Sequence, residues 1–162
     1  MKDDRKKLVV FFSAQQHTKA AAEKIAHEVG ADLFEIRPAK AYASADLDWT
    51  DGGSRVSREH SDPSLREVEL AEATPAYWAE YDVIFLGYPI WWGMAAWPVS
   101  SFVRQNDFTS KTVLPFGTSY SSPLGDSDQQ LASVARGGDW HAGRRFSSDA
   151  SLSDIQAWLR EL

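Results

Sequence analysis

The stretch KLVVFFSAQQHTKAAAEKIAHEVGADLFEIRP, residues 7–38, decides the fold. Its opening KLVVFFS is an unbroken β-branched and aromatic run. A strand buried on both faces reads this way, whereas a strand with one wet face alternates. HTKAAAEKIAHEVG follows, with Ala21, Ala22, Ile25 and Val29 on one helical face. Gly30 stands where a helix ends in left-handed backbone. DLFEIRP then carries Leu33, Phe34 and Ile36, and Pro38 stops it. Strand, helix and strand in succession predict a parallel pair with a helical crossover.

Working outward, residues 82–88 predict a third buried strand. Pro98 fits the first turn of a helix, and Val99, Phe102 and Val103 give that helix an apolar stripe. KTVLPFGTS predicts a fourth strand ending at Gly117. SPLGDSDQQLASVARGG predicts a helix with Leu131 and Val134 inward, closed by the glycine pair. A fifth strand must come from DWHAGRRFSS, a charged and poor candidate. SLSDIQAWLREL predicts the last helix, capped by Ser151 or Ser153, with Ile155, Trp158, Leu159 and Leu162 as its apolar stripe. Residues 39–80 differ: polar, with Gly52, Gly53, Pro63 and Pro75, they predict a long excursion holding one or two short helical pieces. A loop of that length is either functional or a plain insertion. The expected class is α/β, a doubly wound five-stranded parallel sheet in three αβα layers, with residues 1–162 as a single domain.

Composition narrows the chemistry. Hydrophobic residues make up 43% of the 162, too many for a disordered chain. There is no cysteine, which excludes disulfides, thiolate catalysis and Cys-ligated metal. A formal charge of −6 disfavours nucleic acid as a partner and permits a basic one. No apolar window approaches membrane-spanning length, and MKDDRKKLVVFF lacks the long apolar region of a secretory signal. The expected location is the cytoplasm.

Ligands of an open parallel sheet bind at the carboxyl ends of its strands. That rule nominates three loops. In SAQQHT, Ser13 and Thr18 bracket a strand-to-helix turn, where hydroxyls and open N–H groups favour an anion. Ordinary helix capping by Thr18, with Ser13 satisfying a backbone group, is the bland alternative. His17 adds a charge-assisted donor if protonated. The loop has no Lys or Arg, and neither Gly-x-Gly-x-x-Gly nor a Walker sequence occurs. In GYPIWWGMAAWP, Trp91 or Trp92 either stacks on a flat heterocycle or packs, Gly93 frees the backbone, and Trp97 reads as core. GTSYSSPLG offers Thr118, Ser119 and Tyr120 between Gly117 and Gly125. A phosphate at the first loop and a planar ring between the other two describe the shape of FMN.

VVFFSAQQHTKAAAEKIA, YDVIFLGYPIWWGMAAWPVSSFV and TVLPFGTSYSSPLG together resemble the flavodoxin superfamily, in particular a bacterial group with a Pro-Ile-Trp-Trp-Gly flavin loop. The resemblance implies FMN as cofactor and strand order 2-1-3-4-5. It implies that Ser13, Gln15, His17 and Thr18 hold the phosphate. It sets Pro89, Ile90, Trp91, Trp92 and Gly93 on one side of the ring, and Thr118, Ser119, Tyr120 and Gly125 on the other. One departure stands out. Gln15, Gln16 and His17 occupy positions where the family reads Ser-Gly-Asn, so either the amides and imidazole substitute as donors or the site is weakened.

The implied function is FMN-dependent electron transfer to a redox partner protein or small acceptor. An NAD(P)H-dependent FMN quinone reductase is one alternative, with Tyr42 and Trp49 walling a substrate cleft. An interaction module that has lost FMN is another. No catalytic residue or metal ligand is assigned. His27 and His60 read as exposed, and His141 has no evident partner. Asp3 and Asp4 precede the first strand, at the wrong end for a phospho-acceptor site.

Overall fold

A computed structural model describes residues 5–162, so Asp3 and Asp4 lie outside the described residues. The chain runs β1 (Lys7–Phe11), α1 (His17–Val29), β2 (Asp32–Glu35), α2 (Arg55–Ser61), β3 (Val83–Trp91), β4 (Met94–Ala95), α3 (Trp97–Gln105), β5 (Thr112–Ser119), α4 (Ser127–Val134), β6 (Asp139–Trp140), β7 (Arg144–Ser147) and α5 (Leu152–Arg160). None of the described helices is long and apolar enough to cross a membrane.

The sheet order is β2-β1-β3-β5-β6, with β4 added to β3 and β7 to β5. All of its pairings are parallel except that of β4. The expected order 2-1-3-4-5 is therefore present, built among the described residues from seven strands rather than five. Two features make the difference. The third strand continues past its expected end and turns back as β4. The fifth is broken into β6 and β7 at 141–143, where the Gly143 N–H turns to Asp128 Oδ2 at 2.7 Å. As an edge strand it pairs with β5 alone, which leaves such breaks tolerable.

Alternation along the strands explains the two helical layers. Leu8, Val10, Ile84, Leu86 and Val113 join Val99 and Phe102 of α3 and Leu131 of α4 in one core. Val9, Phe11, Val83, Phe85 and Leu114 join Ala22 and Ile25 of α1 and Ile155 and Trp158 of α5 in the other. Gly87 belongs to this packing: a Cβ there would lie 2.2 Å from the ring of Phe116, its register partner on β5. Gly87→Ala is expected to cost about 1–3 kcal/mol through overpacking, read from the urea midpoint. An unchanged midpoint would mean that the Phe116 ring is free to move aside.

The helix ends correct several expectations. Ser151 caps α5 and forms a capping box with Asp154. Leu162, assigned to the α5 stripe, is instead exposed. Val134 is also exposed, and α4 ends there, with Ala135 as its C-cap, before the glycine pair. The excursion holds α2 and 3-10 turns at Ala45–Leu47, Pro63–Arg66 and Trp78–Glu80.

Candidate functional site

The strand-end loops take their shapes from local backbone chemistry. After β1, Ser13 Oγ accepts the Lys19 N–H at 3.2 Å. Gln16 precedes α1 with φ 71°, left-handed backbone that suits glycine, and its side chain does not cap the helix. The expected alternative of a Thr18 cap fails. Thr18 is buried one residue inside α1, and its Oγ1 lies 2.7 Å from Thr118 Oγ1, tying the first loop to the third. Among the described residues, the His17 and Thr18 N–H groups meet no acceptor, so they are open donors at the positive end of the helix. His17 Nε2 lies 3.1 Å from Tyr120 Oη, a second tie across the same gap.

Holding Gln16 in left-handed backbone costs about 1–2 kcal/mol. Gln16→Gly is expected to recover part of this, offset by the greater freedom of glycine in the unfolded chain. A rise in Tm of about 2–4 °C is expected. A fall would mean that the Gln16 side chain makes a compensating contact.

The second loop is a two-residue hairpin. Trp91 pairs with Met94 across it, and both Trp92 (φ 48°) and Gly93 (φ 73°) are left-handed, as a type I′ turn requires. A bulky residue is strained in this backbone, and such strain gathers at functional sites. Trp91 presents its ring edge-on to Phe12, Tyr42 and Trp97, with centroids 5.7, 5.5 and 4.9 Å away. Trp92 lies parallel to His60 at 4.1 Å. His60, expected as a plain exposed residue, is half-buried against it. Trp97 is buried, as expected.

The third loop is braced from the sheet edge. Arg145 of β7 donates to Ser119 Oγ at 2.9 Å and to the Ser119 and Tyr120 carbonyls at 3.0 Å. Gly125 is left-handed and faces the Gly93 carbonyl. His141, expected without a partner, pairs with Asp139 at 3.1 Å on the surface.

Beneath the hairpin sits a buried carboxylate. Glu59 Oε1 accepts Tyr42 Oη at 2.6 Å and Trp97 Nε1 at 3.0 Å, and Oε2 accepts Arg55 Nε at 3.3 Å. The Arg55 guanidinium lies 3.7 Å over the Tyr42 ring. Burial raises the Tyr42 phenol far above its ordinary range, and the hydrogen bond to Glu59 adds to this. Through Glu59 the excursion is fastened to the aromatic cluster.

These loops enclose a cavity of about 580 Å³, a size typical of small-molecule sites. Of the expected residues, Gln15, His17, Thr18, Pro89, Ile90, Trp91, Trp92, Thr118, Ser119 and Tyr120 line it. Ser13, Gly93 and Gly125 do not, and they shape the loops from behind. Leu47, Trp49, Val56 and Ser148 also line it, and only Trp49 among them was anticipated. Tyr42 packs behind Trp91 instead of lining the cavity. Among the described residues, no Lys, Arg, Asp or Glu borders the cavity, so its donors there are neutral groups and one imidazole. Open N–H groups at one end and flat rings farther along fit a phosphate joined to a planar heterocycle.

A family model described as Flavodoxin matches residues 6–162. The crystal structure of a protein from Bacteroides uniformis, provisionally called a flavoprotein, is similar at 39% identity, covering 98% of this chain and 99% of that one with a TM-score of 0.88. A counterpart from Bacteroides eggerthii gives 39% identity, 98% of both chains and a TM-score of 0.88. A flavoprotein from Lactobacillus acidophilus, solved in complex with FMN, is 22% identical over 96% of this chain and 99% of that one, with a TM-score of 0.58, and shares the fold. No curated protein matches the chain.

Proposed function

The chain belongs to the flavodoxin family, and from that premise we propose that it binds FMN at the strand ends and transfers electrons to a redox partner protein or small acceptor. The observation that carries this is one cavity holding both the open start of α1 and the Trp91–Trp92 hairpin. FMN, when bound, supplies one- and two-electron redox chemistry through its ring system.

The residues divide the work. The His17 and Thr18 N–H groups, the Gln15 amide and the His17 imidazole hold the phosphate, and Ser13 fixes the turn that presents them. Pro89, Ile90, Trp91 and Trp92 wall the ring on one side, and Thr118, Ser119 and Tyr120 on the other. Gly93 and Gly125 let their loops close. Because Trp91 and Trp92 wall the ring and, among the described residues, no Lys or Arg borders the pocket, it disfavours added negative charge on the ring, which favours a low reduction potential.

A second reading, an NAD(P)H-dependent FMN quinone reductase, is favoured by Leu47, Trp49 and Val56 facing the same cavity. Steady-state assay with NAD(P)H and a quinone separates the two, since rapid turnover by the purified chain alone supports the reductase. Titrating FMN into the apo-protein tests the premise of both. Binding should quench tryptophan fluorescence and, at about a hundredfold excess over Kd, add about 2.7 kcal/mol of stability. Spectra and Tm unmoved by saturating FMN would overturn it and leave the reading of Gln15 and Gln16 as marks of a module that has lost the cofactor.

A further inference from the structure

A second cavity, of about 210 Å³, lies between α3 and α4 behind β4. Arg66, Met94, Ser100, Arg104, Gln130 and Leu131 are among its lining. Two arginines and, among the described residues, no Asp or Glu line it, in a chain with 23 acidic residues. Among the described residues, neither Arg66 nor Arg104 has a carboxylate within ion-pair distance. Like charges gathered without a counter-ion repel, and an anion between them removes the penalty.

Arg66 is held in place. Its Nε donates to the Glu59 carbonyl at 2.9 Å, Nη2 donates to the His60 carbonyl, Nη1 donates to Met94 Sδ at 3.8 Å, and its guanidinium lies 5.2 Å over the Trp97 ring, which leaves one N–H on each Nη. Those contacts also brace the end of α2, but they involve no negative charge and leave further N–H groups of the fork unused. A guanidinium already fixed loses little side-chain freedom on binding. Arg104 is exposed on α3; among the described residues its side chain has no hydrogen-bonded partner, and it supplies a second donor fork. Ser100 and the Gln130 amide add neutral donors. Met94 and Leu131 give the groove an apolar wall.

We propose that this groove binds a small organic monoanion, a carboxylate on a compact apolar body, with the carboxylate between Arg66 and Arg104. Carboxylate matches the planar guanidinium fork, and the apolar body suits the Met94–Leu131 wall. A cavity of about 150 Å³ is enough to admit benzene, so about 210 Å³ suits a molecule the size of benzoate. The site is separate from the strand-end cavity and does not depend on FMN. It touches the rear of the hairpin, since Met94 and Ala95 pair with Trp91 and Ile90.

The test is a benzoate titration of the full chain, read at the arginine Nε–H signals by NMR, with benzamide as the uncharged control. Saturable shifts at Arg66 and Arg104, absent with benzamide, are expected. Arg104→Gln should weaken benzoate at least about tenfold, the usual effect of losing a charge-assisted hydrogen bond. Arg104 is exposed, so its replacement leaves the fold intact, whereas Arg66→Gln also loosens α2 and is the supporting variant. Shifts that fail to saturate, equal response to benzamide, or unchanged affinity in Arg104→Gln would each overturn the proposal.

Discussion

Glu59→Ala should lower the unfolding free energy by about 3–5 kcal/mol, the range for removing one partner of a buried charged pair. Glu59 is 7% exposed and accepts from three different side chains. Alanine leaves the Arg55 guanidinium with its charge unmatched and the Tyr42 hydroxyl and Trp97 indole N–H without their acceptor. Each buried donor so stranded costs about 1–3 kcal/mol by itself. Glu59→Gln should fall between wild type and alanine, because its amide keeps one acceptor but sets an N–H against a donor. Urea denaturation reads the loss directly. FMN affinity should fall in parallel, since Tyr42 and Trp97 hold the edges of Trp91. A midpoint unchanged in Glu59→Ala would mean that water replaces the carboxylate and that the excursion is held by other contacts.

The tandem tryptophans should separate in the same assays. Trp91→Ala is expected to cost about 3–5 kcal/mol, as for other aromatic truncations in packed surroundings, because three aromatic rings lean on it. Trp92 is 40% exposed and lies parallel to His60 at 4.1 Å and, farther off, to Trp97 at 6.0 Å, so Trp92→Ala should cost about 1 kcal/mol. If Trp92 lies against the flavin, its loss should weaken FMN by up to about tenfold through the missing aromatic contact. Equal losses of stability in the two variants would show that Trp92 is packing material too.

Much of this was legible beforehand, for a simple reason. KLVVFFS and YDVIFLGYP are continuous apolar runs, which only a strand covered on both faces can bury. The three strand-end loops followed from topology, since parallel strands place all their carboxyl ends together. Positions within those loops were less legible. Ser13, Gly93 and Gly125 lie behind the cavity, because a residue that shapes a turn and one that faces the ligand look alike in a linear pattern. Gln16 itself gives no sign of its left-handed backbone; only the resemblance, which has glycine at that position, points to it. The broken fifth strand was hidden as well. With only β5 beside it, its pairing carries little hydrophobic signal.

The amino-acid order alone determined the layered α/β class, the parallel pairing and the end of the sheet where the strand-end cavity opens. Those depend on local periodicity and chain connectivity, which a single sequence carries. Only the tertiary structure decided which tryptophan is packed and which is open, and that Glu59 joins residues 42, 55 and 97. It also set Arg66 and Arg104 on the walls of one groove. Such groupings depend on where distant backbone segments meet, and a buried carboxylate on a short polar helix reads in sequence like any solvated one until its donors are in place.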